Sequence, residues 1–421
     1  MSDVLDFYRQ QAQLKISPIS WLARLQQQGL NELARLGFPT RHHEEWKYTL
    51  IDSFLQHRFT QNESSPLAQE SYAADLPVEG YIVSWVNGCW VQSGQYTLPA
   101  GVIILPLAQA IEEHPEKIQP YLGQILQHEH GFQALNTAML HAGIFIYLPA
   151  GVSLLQPVIL SHVQDKDNQA VFMRHLLVAE AGSSAVVIED FQGKPERTYF
   201  TNTITELHAA ANAKLSHYKL QRESRSAYHM GHLAVKQAQG SEVDTHVLSL
   251  GGKLMRSDIS IDLHEPHARC LLNGIYAPGK AQHMDHHTVV NHNVPDCRSE
   301  QDYKGILSGD SRAVFNGKVM VAKHAQHTEA RQQNKNLLLA ANAEIDTKPQ
   351  LEIFADDVVC SHGATVGQLD EEALFYFAAR GIEQDEARRF LVKAFAADNL
   401  RMMGTPKLAN WLNQLLCQQL G

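Results

Sequence analysis

Three features of the chain predict a mainly β protein, a coiled parallel sheet held between two helical ends. From about residue 140 no long helical pattern survives for more than two hundred residues. Short alternating segments replace it: GIFIYL, SAVVIEDF, NTITELH, KLSHYKL, HVLSL, DISIDLH, AVFNGKVMVA and QLEIFADD. Alternation with a period of two is strand patterning. Between these segments stand corners of small and polar residues: AGSSAVV (181–187), AANAKLS (210–216), QGSEVDT (239–245), SGDSRAVF (308–315) and AANAEID (340–346). A coiled parallel sheet needs such corners, because each rung must turn tightly beside its neighbours. The corners share no single period, and alternation alone leaves a β-sandwich open. The third feature is helical spacing of apolar residues at both ends.

At the N-terminus, Ser17 is placed to cap a helix whose first residue is Pro18. Leu22, Leu25, Leu33 and Leu36 follow at helical spacing, and Gly37 with Pro39 ends the run. A polar stretch at 60–70 reads as a loop. YIVSWVNGCWV (81–91) reads as a hairpin turning at Asn87-Gly88, since Asn-Gly supplies two residues tolerant of positive φ. After the β region, Asp370 caps a helix over EEALFYFAAR that stops at Gly381. EQDEARRFLVKAFAADNL follows, with Ala387, Leu391, Ala394 and Phe395 along one face. A last helix starts at Thr405-Pro406 and carries Leu408, Trp411, Leu412, Leu415 and Leu416. The expected division is a mostly helical N-terminal domain with a small hairpin (1–135), a β core (136–368) and a helical C-terminal domain (369–421). These stripes read first as intramolecular core; because three short helices cannot easily bury every Phe and Leu they carry, a docking surface for another protein is the second reading.

Composition narrows the function. The chain has 421 residues, with 35 basic against 45 acidic and a net charge of −10, which argues against nucleic acid as a partner. The first residues, MSDVLDFYRQQAQLKIS, carry acids early and no apolar stretch, so no secretory signal is expected. The most apolar run, 143–160, is broken by Pro149, Gly151 and Pro157, which speaks for strands and not a membrane span. Five cysteines are scattered without a framework (Cys89, Cys270, Cys297, Cys360 and Cys417), as expected for reduced thiols in a cytoplasm.

No nucleotide-binding loop, zinc-protease helix or nucleophile elbow occurs, and GGKLMRS (251–257) has the wrong spacing for a phosphate cradle. His264, His267, His283, His286, His287 and His292 crowd into one segment near Cys297. Imidazoles of this number suit zinc or iron, the basis of a zinc-dependent enzyme reading for 264–292. Strand alternation instead scatters the rings to both faces, with several in solvent, and forces no three of them together. Cys360 and His362, in ADDVVCSHGATVG (355–367), are sharper. Two apart in a strand, they share a face, about 6.5–7 Å apart, with Val358 and Asp356 behind them and Val359 and Ser361 opposite. A thiolate and an imidazole suit iron–sulfur chemistry or zinc. Two ligands do not close a site, so the rest must come from a distant rung or a second chain; otherwise the pair is a buried thiol and a hydrogen-bonded ring.

At these residues the chain resembles the SufB/SufD family of iron–sulfur cluster assembly proteins, on its SufD side. The likeness rests on YKGILSGDSRAVFNGKVMVAKHAQHTEARQQNKNLLL, on AEIDTKPQLEIFADDVVCSHGATVGQLDEEALFYFAARGI, and on PTRHHEEWKYT (39–49). The resemblance implies a right-handed parallel β-helix between helical domains. It implies a non-catalytic scaffold that pairs through its β-helix with a SufB-like chain, while its C-terminal helices dock a SufC-like ATPase. It implies further that Cys360 and His362 lie at the interface and help hold iron or a nascent iron–sulfur cluster. A reduced flavin is associated with such complexes, but this chain carries no flavin fingerprint. An exposed sheet edge would also allow a homodimer of the isolated chain, though the sequence does not fix its oligomeric state. The rival enzyme class for a β-helix is a polysaccharide lyase or hydrolase, typically secreted.

Overall fold

The computed structural model describes residues 2–61, 75–91 and 96–420. The chain opens with α1 (Ser2–Gln13) and α2 (Ser20–Leu36), then 3-10 turns at Glu44–Trp46 and Phe54–Gln56. The expected cap is displaced: α2 starts after Ile19, and the Ser17 hydroxyl instead accepts the Ile19 N–H at 3.1 Å in the turn before it. Leu22, Leu25 and Leu33 are buried as the spacing requires, and Gly37 ends the helix at φ 62°. Most of the polar 60–70 stretch lies outside the described residues.

The hairpin forms as expected. β1 (Tyr81–Val86) and β2 (Cys89–Val91) pair antiparallel about Asn87 and Gly88, both at positive φ. It is not a separate feature of the helical end, because β1 also pairs in parallel with a core strand and closes one sheet. Next come β3 (Ile103–Pro106), α3 (Leu107–Glu113), α4 (Pro115–Ile118) and α5 (Gly131–Ala138).

The core coils through β4 (Ile144–Leu148), β5 (Val158–Gln164), β6 (Ala170–Ala179), β7 (Ser184–Gly193) and β8 (Phe200–Ala209). It continues through β9 (Lys214–Arg222), β10 (Tyr228–Gln237), β11 (Glu242–Ser249), β12 (Leu254–Leu263) and β13 (Arg269–Tyr276). The last rungs are β14 (His283–His292), β15 (Arg298–Leu307), β16 (Arg312–Val321), β17 (Thr328–Leu338), β18 (Glu344–Ile353) and β19 (Val358–Gln368). Odd strands from β5 to β19 stack in parallel in a ten-stranded sheet finished by β1 and β2; even strands from β4 to β18 stack in a nine-stranded sheet finished by β3. This is a two-sheet parallel solenoid, and the sandwich alternative is excluded by the parallel ladders. Register steps range from 26 residues (Tyr228 to Leu254) to 32 (Arg312 to Glu344), which explains why no clean repeat shows in the sequence.

The corners explain themselves through backbone geometry. Gly182, Asn212, Gly240, His267, Asp296 and His327 each stand at positive φ just ahead of an odd strand, one per rung. Glycine takes that conformation freely, while asparagine and aspartate take it more readily than most residues. His267, one of the candidate ligands, is therefore a corner residue.

After the solenoid come α6 (Glu371–Ala378), α7 (Gln384–Arg401) and α8 (Pro406–Leu420). The Asp370 carboxylate caps α6 by accepting the Glu372 N–H at 2.9 Å. On α7 the buried stripe is Ala387, Val392, Ala396, Asn399 and Leu400, rotated from the expected one, with Ala394 exposed and Leu391 and Phe395 half-buried. The rotation follows from what α7 packs on: Asn399 donates to the Asp302 backbone at 2.7 Å, tying the helix to β15. Leu408, Leu412 and Leu416 of α8 join Val392 and Leu400 in one core with Ile188, Tyr218 and Ile275 of the ten-stranded sheet. Among the described residues no helix is long and apolar enough to cross a membrane.

Candidate functional site at the open end of the solenoid

Parallel in-register stacking turns each strand position into a column running the length of the coil. Cys360 stands at the end of the column Val243, Cys270, Ser299 and Ala330, all buried. His362 ends the column His217, Thr245, Leu272, Gln301 and Gln332, also all buried. Both columns face the interior between the two sheets. Cys360 and His362 thus share the inward face of β19, as the strand spacing predicts; Asp356 falls before the strand begins.

What distinguishes the two from the residues beneath them is the end of the stack. β19 is the terminal strand of one sheet and β18 of the other, so no further rung covers them. His362 is consequently exposed, while Cys360 is half-buried against Ala330, Val319 and Ala355. Burial pushes the Cys360 thiol up, only partly opposed by a hydrogen bond from the Ala330 backbone. A thiol held protonated is a ligand that needs a metal to displace its proton. The rim is apolar where a surface should be polar: Phe354 is 63% exposed, Val359 64% and Val366 51%. Unpaired strand edges with apolar side chains invite another chain.

The histidine-rich segment does not converge. His264 and His267 are exposed, but His286, His287 and His292 are buried, a correction to the expectation of several rings in solvent. Each buried ring has a local partner. His286 bonds Ser249 at 3.0 Å and stacks on Tyr276, and His292 bonds Ser299 at 2.8 Å. His287 points outward and joins Asp285 at 2.9 Å to Glu45 at 3.3 Å. Burial and the nearby Arg256 oppose its charge, yet the two carboxylates hold its pKa above the ordinary histidine value. Among the described residues no group of three or more His, Cys, Asp or Glu is placed to hold a metal ion.

That outward network accounts for PTRHHEEWKYT. Trp46 stacks under the Arg256 guanidinium at 3.9 Å, Thr49 donates to Asp285 at 2.6 Å, and Glu44 meets Lys348 at 2.8 Å. The segment straps the N-terminal region across the nine-stranded sheet. At the other side, α6 and α7 leave Phe375 76%, Tyr376 54% and Phe390 48% exposed.

Sequence reasoning missed the residues beneath the pair, Gln301 and Gln332. The signal was their place two and one rungs below His362, visible only once the irregular register was known.

Comparison with known proteins agrees with the architecture. The family model for the SufBD core domain of the SUF iron–sulfur cluster assembly system matches residues 162–395, and that for the SufBD N-terminal region matches residues 1–160. The chain is 34% identical to iron–sulfur cluster assembly protein SufD of Escherichia coli over 88% of this chain and 87% of that protein. A SufBD family iron–sulfur cluster assembly protein of Synechocystis is 28% identical over 97% of this chain and 94% of its own length. SufD of Bacillus subtilis is 24% identical over 90% of this chain and 89% of its own. A solenoid with a Cys and a His at its open end, flanked by helices and matched along its length, therefore belongs to the SufBD family of iron–sulfur cluster assembly proteins, on its SufD side.

Proposed function

We propose that this chain is a non-catalytic scaffold subunit on which iron or a nascent iron–sulfur cluster is held at an interface with a second, SufB-like chain. The observation that carries the reading is the placement of Cys360 and His362: inward-facing on their columns, yet left uncovered by the end of the stack. Two ligands are half of a tetrahedral set, and a partner solenoid meeting β18 and β19 end-on would bring the others. The exposed Phe354, Val359 and Val366 supply apolar contact around the polar pair. The same edge serves a homodimer when the chain is alone.

The exposed aromatics of α6 and α7 fit a SufC-like ATPase as the second partner, and ATP hydrolysis then belongs to that subunit. The helices are tied to the end of the solenoid: Asn399 bonds Asp302, and Lys304 donates to the Phe395 carbonyl at 2.7 Å. ATPase dimerisation on ATP would pull on α7, strain the paired solenoids and open the interface around Cys360 and His362. His362 is the exposed member of the pair and so the stronger candidate ligand.

Cys360→Ala and His362→Ala, made separately, test the reading by cluster formation on the reconstituted complex, with assembly checked by size-exclusion chromatography. We expect loss of cluster formation on an intact complex, larger for His362→Ala. Full activity of both variants overturns the site. Turnover of a polysaccharide by the purified chain would support the lyase or hydrolase reading instead, and stoichiometric zinc the metalloenzyme reading.

A further inference from the structure

We propose that Gln332 is the positioning residue for His362, its side-chain oxygen accepting a ring N–H and fixing which imidazole nitrogen faces the interface. The inference rests on the scaffold reading of His362 and adds the group that orients it.

Gln332 lies one rung below His362 in direct parallel register, on the same inward column. Its side chain is 3% exposed. The amide is oriented by a ladder: Gln332 Nε2 donates to Gln301 Oε1 at 2.6 Å, and Gln301 Nε2 donates in turn to Thr288 Oγ1 at 2.5 Å. With the NH2 end committed to Gln301, the Gln332 oxygen is left free to take a donor from the last rung. That oxygen is buried and has no hydrogen-bond partner. A buried acceptor left open is costly and calls for a donor.

The surroundings narrow the donor. Across the interior the amide lies over Gly317, where a Cβ would come within 2.2 Å of Gln332 Nε2, so the facing strand makes room for this group. The next residue above Gly317 is Pro349, which has no N–H to offer. The neighbouring Thr347 hydroxyl is spent on Asn334 Oδ1 at 2.9 Å, and the Asn334 amide on Tyr276 and the Tyr303 carbonyl. The donor that remains on the column is the His362 ring. Adjacent strands lie about 4.7–4.9 Å apart, so a rotation of the exposed imidazole brings one N–H onto the oxygen. A ligating histidine that gives one N–H to a neighbouring acceptor presents the lone pair of its other nitrogen in a set direction.

The test compares Gln332→Met with Gln332→Glu. Both remove the Nε2 donor to Gln301, but only methionine removes the oxygen acceptor, so a role confined to the Gln301 bond predicts that the two behave alike. In the isolated full chain, ¹⁵N spectra of the histidine rings report the tautomer of His362, whose signals are identified by their loss in His362→Ala. We expect one dominant tautomer in the wild type and in Gln332→Glu, and a mixture in Gln332→Met. In the complex with the SufB-like and SufC-like partners, Gln332→Met should slow cluster formation by about tenfold, and Gln332→Glu by much less. Matching tautomer populations in all three proteins overturn the proposal, as do equal losses in the two variants. If the spectra divide as expected while His362→Ala assembles clusters normally, the positioning stands and the scaffold site is what fails.

Discussion

Buried histidines make the fold acid-sensitive in a way that one substitution can isolate. The chain has 23 histidines. Burial pushes the pKa of twelve of them down; among these, His232, His246 and His286 reach about 3, and His128, His175 and His292 about 4. A histidine depressed in the folded state takes up its proton only on unfolding. Its contribution to stability is therefore complete above the unfolded value, near 6.5, and is lost as pH falls below it. For one such ring the loss between about pH 7.5 and pH 5.5 is about 1.4 kcal/mol. Six together approach about 8 kcal/mol, against a usual total stability of about 5–15 kcal/mol.

His246 gives the cleanest single test, because burial alone depresses it and neither ring nitrogen has a partner. It lies on the outward face of β11, in register with Tyr218, whose hydroxyl accepts the Gly404 N–H beneath the C-terminal helices. Leucine fills similar space and binds no proton. Urea unfolding followed by circular dichroism at a series of pH values should show His246→Leu losing about 1.4 kcal/mol less than wild type over the same two pH units. Parallel stability curves for the two proteins would refute the argument, since they would mean His246 titrates alike in both states. His287 runs the other way: its raised folded pKa adds stability that is complete below about 6.5 and disappears as pH rises through the folded value. That opposite slope comes from Asp285 first and from Glu45 of the strap second, so mild acid strengthens this outward network while loosening the coil.

Two further outcomes follow from charge and edges. Arg174→Leu should destabilise the chain by about 3–5 kcal/mol in urea unfolding, because Arg174 lies 2.8 Å from Glu206 with both fully buried; a loss under about 1 kcal/mol would mean that the Gly123, Ile125 and Leu126 N–H groups satisfy Glu206 unaided. Val359→Lys with Val366→Lys should leave the thermal midpoint of the isolated chain unchanged, since both residues are more than half exposed, while abolishing co-elution with a SufB-like partner; retained co-elution would remove the β19 edge from the interface.

The class of fold was legible because a coiled sheet writes two local signals, alternation and small-residue corners, and both survive an irregular period. The hairpin at Asn87-Gly88 and the Asp370 cap were legible for the same reason, each being decided by residues next to one another. The face of α7 was not. Its apolar residues are spread around the helix, and a buried polar contact, Asn399 on Asp302, fixes its rotation. The strand spacing placed Cys360 and His362 on one face but could not say that this face is the interior. That depends on which rungs stack, and steps of 26 to 32 residues cannot be recovered from one sequence. The buried histidines were hidden by the same gap, since alternation does not say which face a neighbouring element covers.

Why the end of a solenoid suits the proposed site follows from comparing two cysteines on one column. Cys270 and Cys360 are the same residue type, both inward, three rungs apart. Cys270 is sealed, 5% exposed, and burial pushes its thiol far up, so it neither ionises nor meets a ligand. Cys360 differs only in having no rung above it. Interior side chains are held rigidly by the ladders on either side, the precision that a ligand set requires. Interior burial denies access; a surface loop would give access without precision. The last rung alone combines an ordered inward column with an open side. Covering that side with a second solenoid would desolvate the pair just as the remaining ligands arrive, and separating the two would return it to solvent. On the proposed reading, a shared site at an interface couples cluster retention to subunit geometry, which an ATP-driven pull on α7 would control.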